Sequence, residues 1–401
     1  MSAHIAAQEH VRENRSSFSY IYIKHTCRFP NVTPVQWRKD TNVEIEISSS
    51  NFPTRRRKRK DGGRGGERER VQSYFKDAMG LAGFYALLTK QGYVPKNLRL
   101  AALRGKTVAI DGDFVLYKSL LGHTKGNAIT PKDIARPIQT WLTRAKHAGI
   151  TTIFVTTGGP APLEKQTHCA LVRKRKRERQ EERIKMLVES LPALEDIGEE
   201  LHAREKICRL KNSVRRVTPA MSRQVVHLLQ SDGHHCVQAK SEADFMLVLL
   251  SEDKKCHYVA TDDADIIVAG ASHVLRGFVR LLMDPSTPAR DFCRADILAC
   301  LSLSSDTLLH LGSLMSCDYL PSLPNVGPMT AFRMMQKYGS VSKFIHSDCF
   351  SALTSNKKKR KFSLPADMTP ETYLEASART MEIFRSRPDK GNIPIGAGGS
   401  S

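Results

Sequence analysis

Four short apolar runs punctuate the middle of the chain: KTVAI, ITTIFVT, HHCVQA and CHYVAT. Each is brief and rich in β-branched residues, so each predicts a buried strand. Between them, Phe114–Leu121, Pro131–His147 and Glu242–Ser251 predict helices. Alternating strands and helices imply an α/β fold with a parallel sheet covered by helices. Order begins at MGLAGFYALL, Met79–Leu88.

Two stretches interrupt this pattern. Glu164–Arg216 is mostly charged (LVRKRKRERQEERIKMLVESL, then EELHAREKICRLKNSVRRV), and few apolar positions recur. It predicts water-facing helices inserted into the α/β core. Residues 1–78 contain SSSNFPTRRRKRKDGGRGGERER, which cannot build a core and predicts a disordered basic extension. From Arg290 onward the pattern turns helical. After Ser351 come KKKRK and a GAGGSS terminus, which predict a basic flexible tail. The resulting partition is 1–78 extension, 79–163 core, 164–216 charged insertion, 217–289 core, 290–350 helical region and 351–401 tail.

Composition narrows the partners. The net charge is +21; residues 1–78 hold 16 basic and 9 acidic residues, so the remainder carries +14 without them. A basic surface favours polyanions, because phosphate contacts release counterions. A merely soluble surface is the alternative. No apolar run approaches a membrane span, and the N-terminus lacks a signal-peptide layout. Nine cysteines are scattered with no C-x-x-C pair, which points to a reducing compartment and away from zinc.

The candidate chemistry sits where the strands end. In open parallel sheets, ligands bind beyond the carboxyl ends of the strands. After KTVAI comes Asp111. After HHCVQAK come Glu242 and Asp244, and after CHYVA come Asp263 and Asp265. A later helix, LLHLGSLMSCDYL, delivers Asp318 near its end. Two carboxylates 4 Å apart repel by about 4 kcal/mol at an effective dielectric near 20. Taken singly, each acid has an ordinary explanation. SEAD (Ser241–Asp244) is a possible capping box, VAIDGD a possible turn, and Asp262 a solvated turn residue. Six hard oxygen ligands on one sheet edge suit Mg²⁺ or Mn²⁺ better than they suit chance.

These segments, in this order, resemble the structure-specific 5′ nucleases of the flap endonuclease and xeroderma pigmentosum group G family. MGLAGFYALL is similar to that family's start, VAIDGDFVLY to its first metal-binding strand, and KSEADFMLV to its internal Ser-Glu-Ala-Glu motif. ATDDADIIVAG is similar to its Thr-Glu-Asp-x-Asp segment, and LMSCDYLPSLPNVGPMTAFRMMQKYGSV to the Gly-Ser-Asp-Tyr segment leading into a helix–two-turns–helix DNA element. The likeness runs from Met79 to about Ile345. It implies a PIN-like nuclease core, a helical arch at 164–216, and two divalent ions held by Asp111, Glu242, Asp244, Asp263, Asp265 and Asp318. Two metals can clamp both oxygens of an in-line phosphodiester displacement, with no covalent enzyme intermediate.

Further roles carry over by position. Gly80 matches a glycine whose bare backbone lets DNA approach, which makes Met79 the expected start and residues 1–78 an unusual extension or a misassigned reading frame. Tyr117 matches a tyrosine that stacks on a base; burial in the core is its simpler explanation. Lys165 and Arg173 match a basic gateway pair that neutralises the scissile phosphate. Backbone N–H groups at Val326 and Gly327 are expected to bind a DNA phosphate at a helix start, with K⁺ in the same turn. Asn325 stands there in place of the usual glycine, and it tolerates the left-handed conformation.

The pattern breaks at one point. The second strand ends in IFVTTGGPAP, with Thr157 where the family has a metal-binding aspartate. This predicts a weakened first metal site, preferring Mn²⁺ or high Mg²⁺, partly compensated by the extra Asp113. Thr157→Asp is expected to raise turnover. The rival expectation is a catalytically impaired protein that grips branched nucleic acid; a third is an RNA-directed nuclease of the wider PIN-like class. The expected partner is branched or 5′-ended DNA, bound by a monomer. No clear sliding-clamp motif or membrane segment is present. RRRKRK and KKKRK point to the nucleus, with a mitochondrial destination left open.

Overall fold

The computed structural model describes residues 81, 83–122, 129–193, 196–315, 317–350, 362–365 and 367–388. Gly80, Arg55–Lys60 and Lys357–Lys361 lie outside the described residues. Seven strands form one sheet in the order β1-β7-β6-β5-β2-β3-β4. The predicted four are β2 (Thr107–Asp111), β3 (Thr151–Thr157), β4 (Cys236–Ala239) and β5 (Tyr258–Ala260). With β6 (His273–Arg276) they make a parallel block. Three strands escape the sequence pattern, β6 among them. β7 (Ala289–Cys293) pairs antiparallel with β6, and β1 (Lys96–Leu98) pairs antiparallel with β7. The helical reading from Arg290 onward is therefore corrected at its start. β7 is short, and it buries a charged residue, Asp291, which holds His273 Nδ1 at 3.0 Å. That acid hides the apolar alternation that marks a strand.

Side chains alternate across the sheet, as a period of two requires. Ala109, Ile153, Val155, Val259 and Val274 face one core. Val108, Ile110, Phe154, Ala260 and Leu275 face the other. Both faces are buried, which explains why the strands read as continuous apolar runs. Each fully buried Val, Leu, Ile or Phe contributes about 1.5–3 kcal/mol. The first core is closed by α1 (Phe84–Lys90), α7 (Ala243–Glu252), α8 (Asp265–Ala269) and the C-terminal helices. The second is closed by α2 (Gly112–Gly122), α3 (Pro131–His147), α6 (Pro219–Ser231) and α9 (Phe278–Met283). α3 spans the residues its sequence predicts. Thr130 caps it in a reciprocal capping box with Asp133, and Pro131 occupies its first position.

The charged segment forms α4 (Ala170–Ser190) and α5 (Ile197–Val214), entered through one π-helical turn at Lys165–Cys169. Among the described side chains of this pair, only Ala203 and Ile207 are buried. Pairs such as Arg204–Glu200 at 2.7 Å line the exposed faces and add a few tenths of a kcal/mol each, about 0.2–0.5.

Beyond β7 come α10 (Arg294–Leu301), α11 (Ser305–Leu314), α12 (Pro328–Tyr338) and α13 (Val341–Ile345). The flexible-tail expectation is corrected for 362–365 and 367–388. α14 (Pro370–Arg385) docks into the first core through Tyr373, Ile383 and Phe384. Its end is tied down by Arg387, whose guanidinium reaches Glu252 at 2.7 Å and the Ala269 carbonyl at 2.7 Å. Among the described residues no single helix is long and apolar enough to cross a membrane.

Candidate active site

The carboxyl ends of β2, β3 and β5 carry the chemistry. Asp111 is the last residue of β2 and is buried. Its Oδ1 accepts from the Phe114 N–H at 3.0 Å, and its Oδ2 accepts from the Thr261 hydroxyl at 2.7 Å. Gly112 lets α2 begin hard against β3: a Cβ there would stand 2.5 Å from the Val155 carbonyl oxygen. Thr261 also receives the Asp263 N–H at 3.1 Å. Asp263 Oδ1 accepts from the Asp265 N–H at 3.0 Å, and Asp265 Oδ1 from the Leu81 N–H at 2.9 Å. The turn after β5 is thus knitted to β2 and to the segment before α1.

The capping box read in Ser241–Asp244 does not form. The N-cap of α7 is Glu242, which makes no capping bond. Thr157, at the end of β3, serves instead: its hydroxyl accepts the Ala243 N–H at 3.0 Å. Glu242 and Asp244 are therefore left to face the sheet edge. Glu242 Oε2 accepts from the Tyr319 hydroxyl at 2.6 Å. Asp318 lies not in a helix but in the turn four residues past the end of α11. Asp262 is no solvated turn residue either. It is half-buried, accepts the Gly277 N–H at 3.1 Å and lies within 4 Å of Lys118 and Arg276.

Crowding these acids raises their proton affinity. Burial pushes the Asp111 carboxyl up to about 7, with Asp113 as the next largest cause. Burial also lifts Asp244 and Asp265 well above the carboxylate range, and each is raised further by neighbouring acids. Asp263 moves the same way for the same first reason. Such a cluster is stable in ionised form only beside positive charge.

Two side chains of the charged insertion supply that charge here. Lys165 Nζ stands 2.6 Å from Glu242 Oε1 and 3.5 Å from Asp318 Oδ2. Arg173 reaches Asp318 Oδ2 at 2.7 Å. Burial lowers the proton affinity of Lys165, but Asp244, Glu242 and Asp318 outweigh it and hold the ammonium charged. Both residues expected at the gateway therefore meet the acids expected at the metals.

The other expected nucleic-acid contacts divide. Tyr117 is half-buried on α2 and lies outside the apolar clusters, so a purely core role is not what it has. Asn325 is left-handed, with φ 64°. Gly327 is exposed and caps α12 through its backbone. Val326 is corrected: its side chain is buried, and its N–H already donates to the Leu323 carbonyl at 3.1 Å. The turn closes on itself, so that amide is not offered to a phosphate.

Sequence reasoning missed three supports: Thr261 beneath Asp111, Tyr319 beneath Glu242, and Thr157 at the start of α7. The first two sit directly beside acids already singled out, and that adjacency was the available signal. The donor set is all oxygen and suits a hard divalent cation. Among the described residues no three carboxylates converge on one point as a finished metal cage. Lys165 stands between Glu242 and Asp318, where such an ion would neutralise the same charges. The side chains fit the group in chemistry, with Lys165 as the competing cation at the same acids.

Comparison with known proteins bears on the fold and its relatives. Residues 79–182 match the family model of the XPG N-terminal domain, and residues 233–318 match that of the XPG I-region. Flap endonuclease 1 of Entamoeba histolytica is 27% identical over 277 residues, covering 67% of this chain and 69% of that protein. Flap endonuclease 1 of Glycine max is 27% identical over 335 residues, covering 78% and 80%. Among solved structures, the catalytic core of Rad2 in complex with DNA substrate superposes with a TM-score of 0.55 at 19% identity, covering 77% of this chain and 88% of that one. The chain carries the N-terminal and I-region domains of the XPG family and is similar to the flap endonucleases.

Proposed function

We propose that the protein is a divalent-metal-dependent, structure-specific 5′ nuclease that hydrolyses phosphodiester bonds in branched or 5′-ended DNA. One observation carries this reading. Carboxylates from four separate segments, at Asp111, Glu242/Asp244, Asp263/Asp265 and Asp318, reach one edge of a parallel sheet. Family members are metal-dependent nucleases, and the relatives named above are flap endonucleases.

Two Mg²⁺ or Mn²⁺ ions held by these six residues would supply Lewis-acid stabilisation and activation of the attacking water. Asp111 and Asp263 are held by Thr261 and the local backbone, which would keep them in place to bind such ions. Lys165 and Arg173, which neutralise Glu242 and Asp318 here, would be available to the scissile phosphate once ions neutralised those acids, and that phosphate needs positive charge as its own charge develops. Tyr117 offers a face for base stacking, and the Gly327 end of α12 a phosphate contact, with K⁺ in the adjoining turn. Residues 79–163 and 217–289 form the nuclease core, 164–216 the arch, and 290–350 the duplex-binding region. The protein acts as a monomer in the nucleus, without sliding-clamp contact through a recognisable motif.

The test is a substrate panel: labelled 5′-flap DNA, bubble DNA and single-stranded RNA, each with Mg²⁺, Mn²⁺ and chelator. Metal-dependent cleavage of the branched DNAs, with little of the RNA, is expected. Preferential cutting of the RNA would move the protein to an RNA-directed class. Tight binding of flap DNA without cleavage in either metal would make it a branched-DNA-binding protein instead.

A further inference from the structure

We propose that Asp113 is a seventh carboxylate of the divalent-ion site, carried by α2 and held in place by Thr157 across the β2–β3 gap. The inference rests on the nuclease reading above. Asp113 is the second residue of α2, two positions beyond Asp111. Its Oδ2 accepts the Thr157 N–H at 3.1 Å, and the Thr157 side chain also hydrogen-bonds to it. That contact exists because Gly112 lets the helix start press against β3: its missing Cβ would meet the Val155 carbonyl, Thr156 and Phe154, all within 3 Å. From there Asp113 shares its electrostatic environment with Asp111, Glu242 and Lys165, the groups that define the candidate site.

Thr157 then has a different task from the one the sequence implied. Its hydroxyl takes the Ala243 N–H at 3.0 Å, so it caps the helix that presents Glu242 and Asp244. One small side chain thereby positions carboxylates from two elements: Asp113 on α2, and the pair at the start of α7. It is a positioning residue, not a weak metal ligand. The consequence is opposite to the simple expectation for Thr157→Asp. A carboxylate at 157 would stand against Asp113, and two half-buried like charges in contact repel. It would also leave Asp113 without the Thr157 hydroxyl beside it. Moving the acid, with Asp113→Ser and Thr157→Asp together, keeps one carboxylate in this corner and one hydroxyl beside it.

The test is Mn²⁺ uptake by the full DNA-free chain, followed by calorimetry, with thermal melts alongside. The variants are Asp113→Asn, Asp113→Ser, Thr157→Asp and the double exchange. Asp113→Asn is expected to weaken Mn²⁺ binding by about 10–100-fold, the range seen when a partner in a metal site is lost. Thr157→Asp alone is expected to melt lower in the metal-free state and to bind Mn²⁺ no more tightly. The exchange should bind better than either single change predicts, a coupling that independent sites do not show. Unchanged Mn²⁺ affinity in a folded Asp113→Asn protein overturns the proposal. So does an exchange variant no better than the sum of its parts, which remains decisive if Asp113→Asn does not fold. A wild-type chain that takes up no Mn²⁺ overturns the nuclease reading and this proposal with it.

Discussion

At the scale of single residues, the site is a set of acids waiting on cations. Asp111 shows this most directly. Its folded pKa lies near 7 against a usual 3.8, chiefly through burial. The folded state therefore holds a proton that the unfolded state releases between those values. By linkage, the contribution of Asp111 to stability is greatest below about pH 4, falls as pH rises toward 7 and is flat above. Metal-free protein should melt higher at pH 5 than at pH 8. Asp111→Asn should flatten that slope, and Mg²⁺ should remove most of it by neutralising the acids. Melting temperatures across that range check the sign; a rise from pH 5 to pH 8 without metal contradicts it. Lys165 gives a second expectation. As a cation placed among Glu242, Asp244 and Asp318, it competes with the ions yet serves the phosphate. Lys165→Met should tighten Mn²⁺ binding while slowing cleavage by about 10²-fold, as loss of one charge-stabilising group does. Metal titration and single-turnover rates on one preparation separate the two effects.

At the scale of elements, the described C-terminal segment behaves as part of the core. α14 buries Tyr373 completely in the first cluster, and among the described residues the Tyr373 hydroxyl has no hydrogen-bond partner. A buried hydroxyl without a partner is costly, while the ring itself is valuable. Tyr373→Phe should therefore be neutral or stabilising. Tyr373→Ala should cost about 3–5 kcal/mol, the range for removing a large buried aromatic. Chemical denaturation measures both. The signals for α14 stood in the sequence: Thr369 before Pro370, then buried positions at Tyr373, Ser377, Thr380 and Phe384. Neighbouring KKKRK and the glycine-rich end outweighed them. The strands and acids were legible because three of the four predicted apolar runs stop at or just before a carboxylate, the run ending in Thr157 being the exception. β1, β6 and β7 were not, being short and carrying polar residues. The Asp113–Thr157 contact was illegible for another reason. It joins positions 44 residues apart, and it depends on a helix starting one glycine after a strand.

At the scale of the whole molecule, the parts agree on one use. A parallel sheet gathers the carboxylates at one edge. The exposed, basic helix α4 begins beside that edge through Lys165 and Arg173, and a helix–turn–helix segment follows Asp318. The net charge of +21 gives the surface a general attraction to polyanions, while the acids are confined to the interior of the site. Basic outside and acidic at the sheet edge is what metal-assisted phosphodiester hydrolysis demands, since the strand must be attracted and the ions must be held. The most direct measurement is single-turnover cleavage of a labelled 5′-flap DNA in Mg²⁺, for the wild type and for Asp263→Ala. The predicted result is cleavage near the branch point that chelator abolishes and that Asp263→Ala slows by at least about 10²-fold, with flap binding preserved. Equal cleavage by the two proteins, or cleavage that survives chelator, would contradict it.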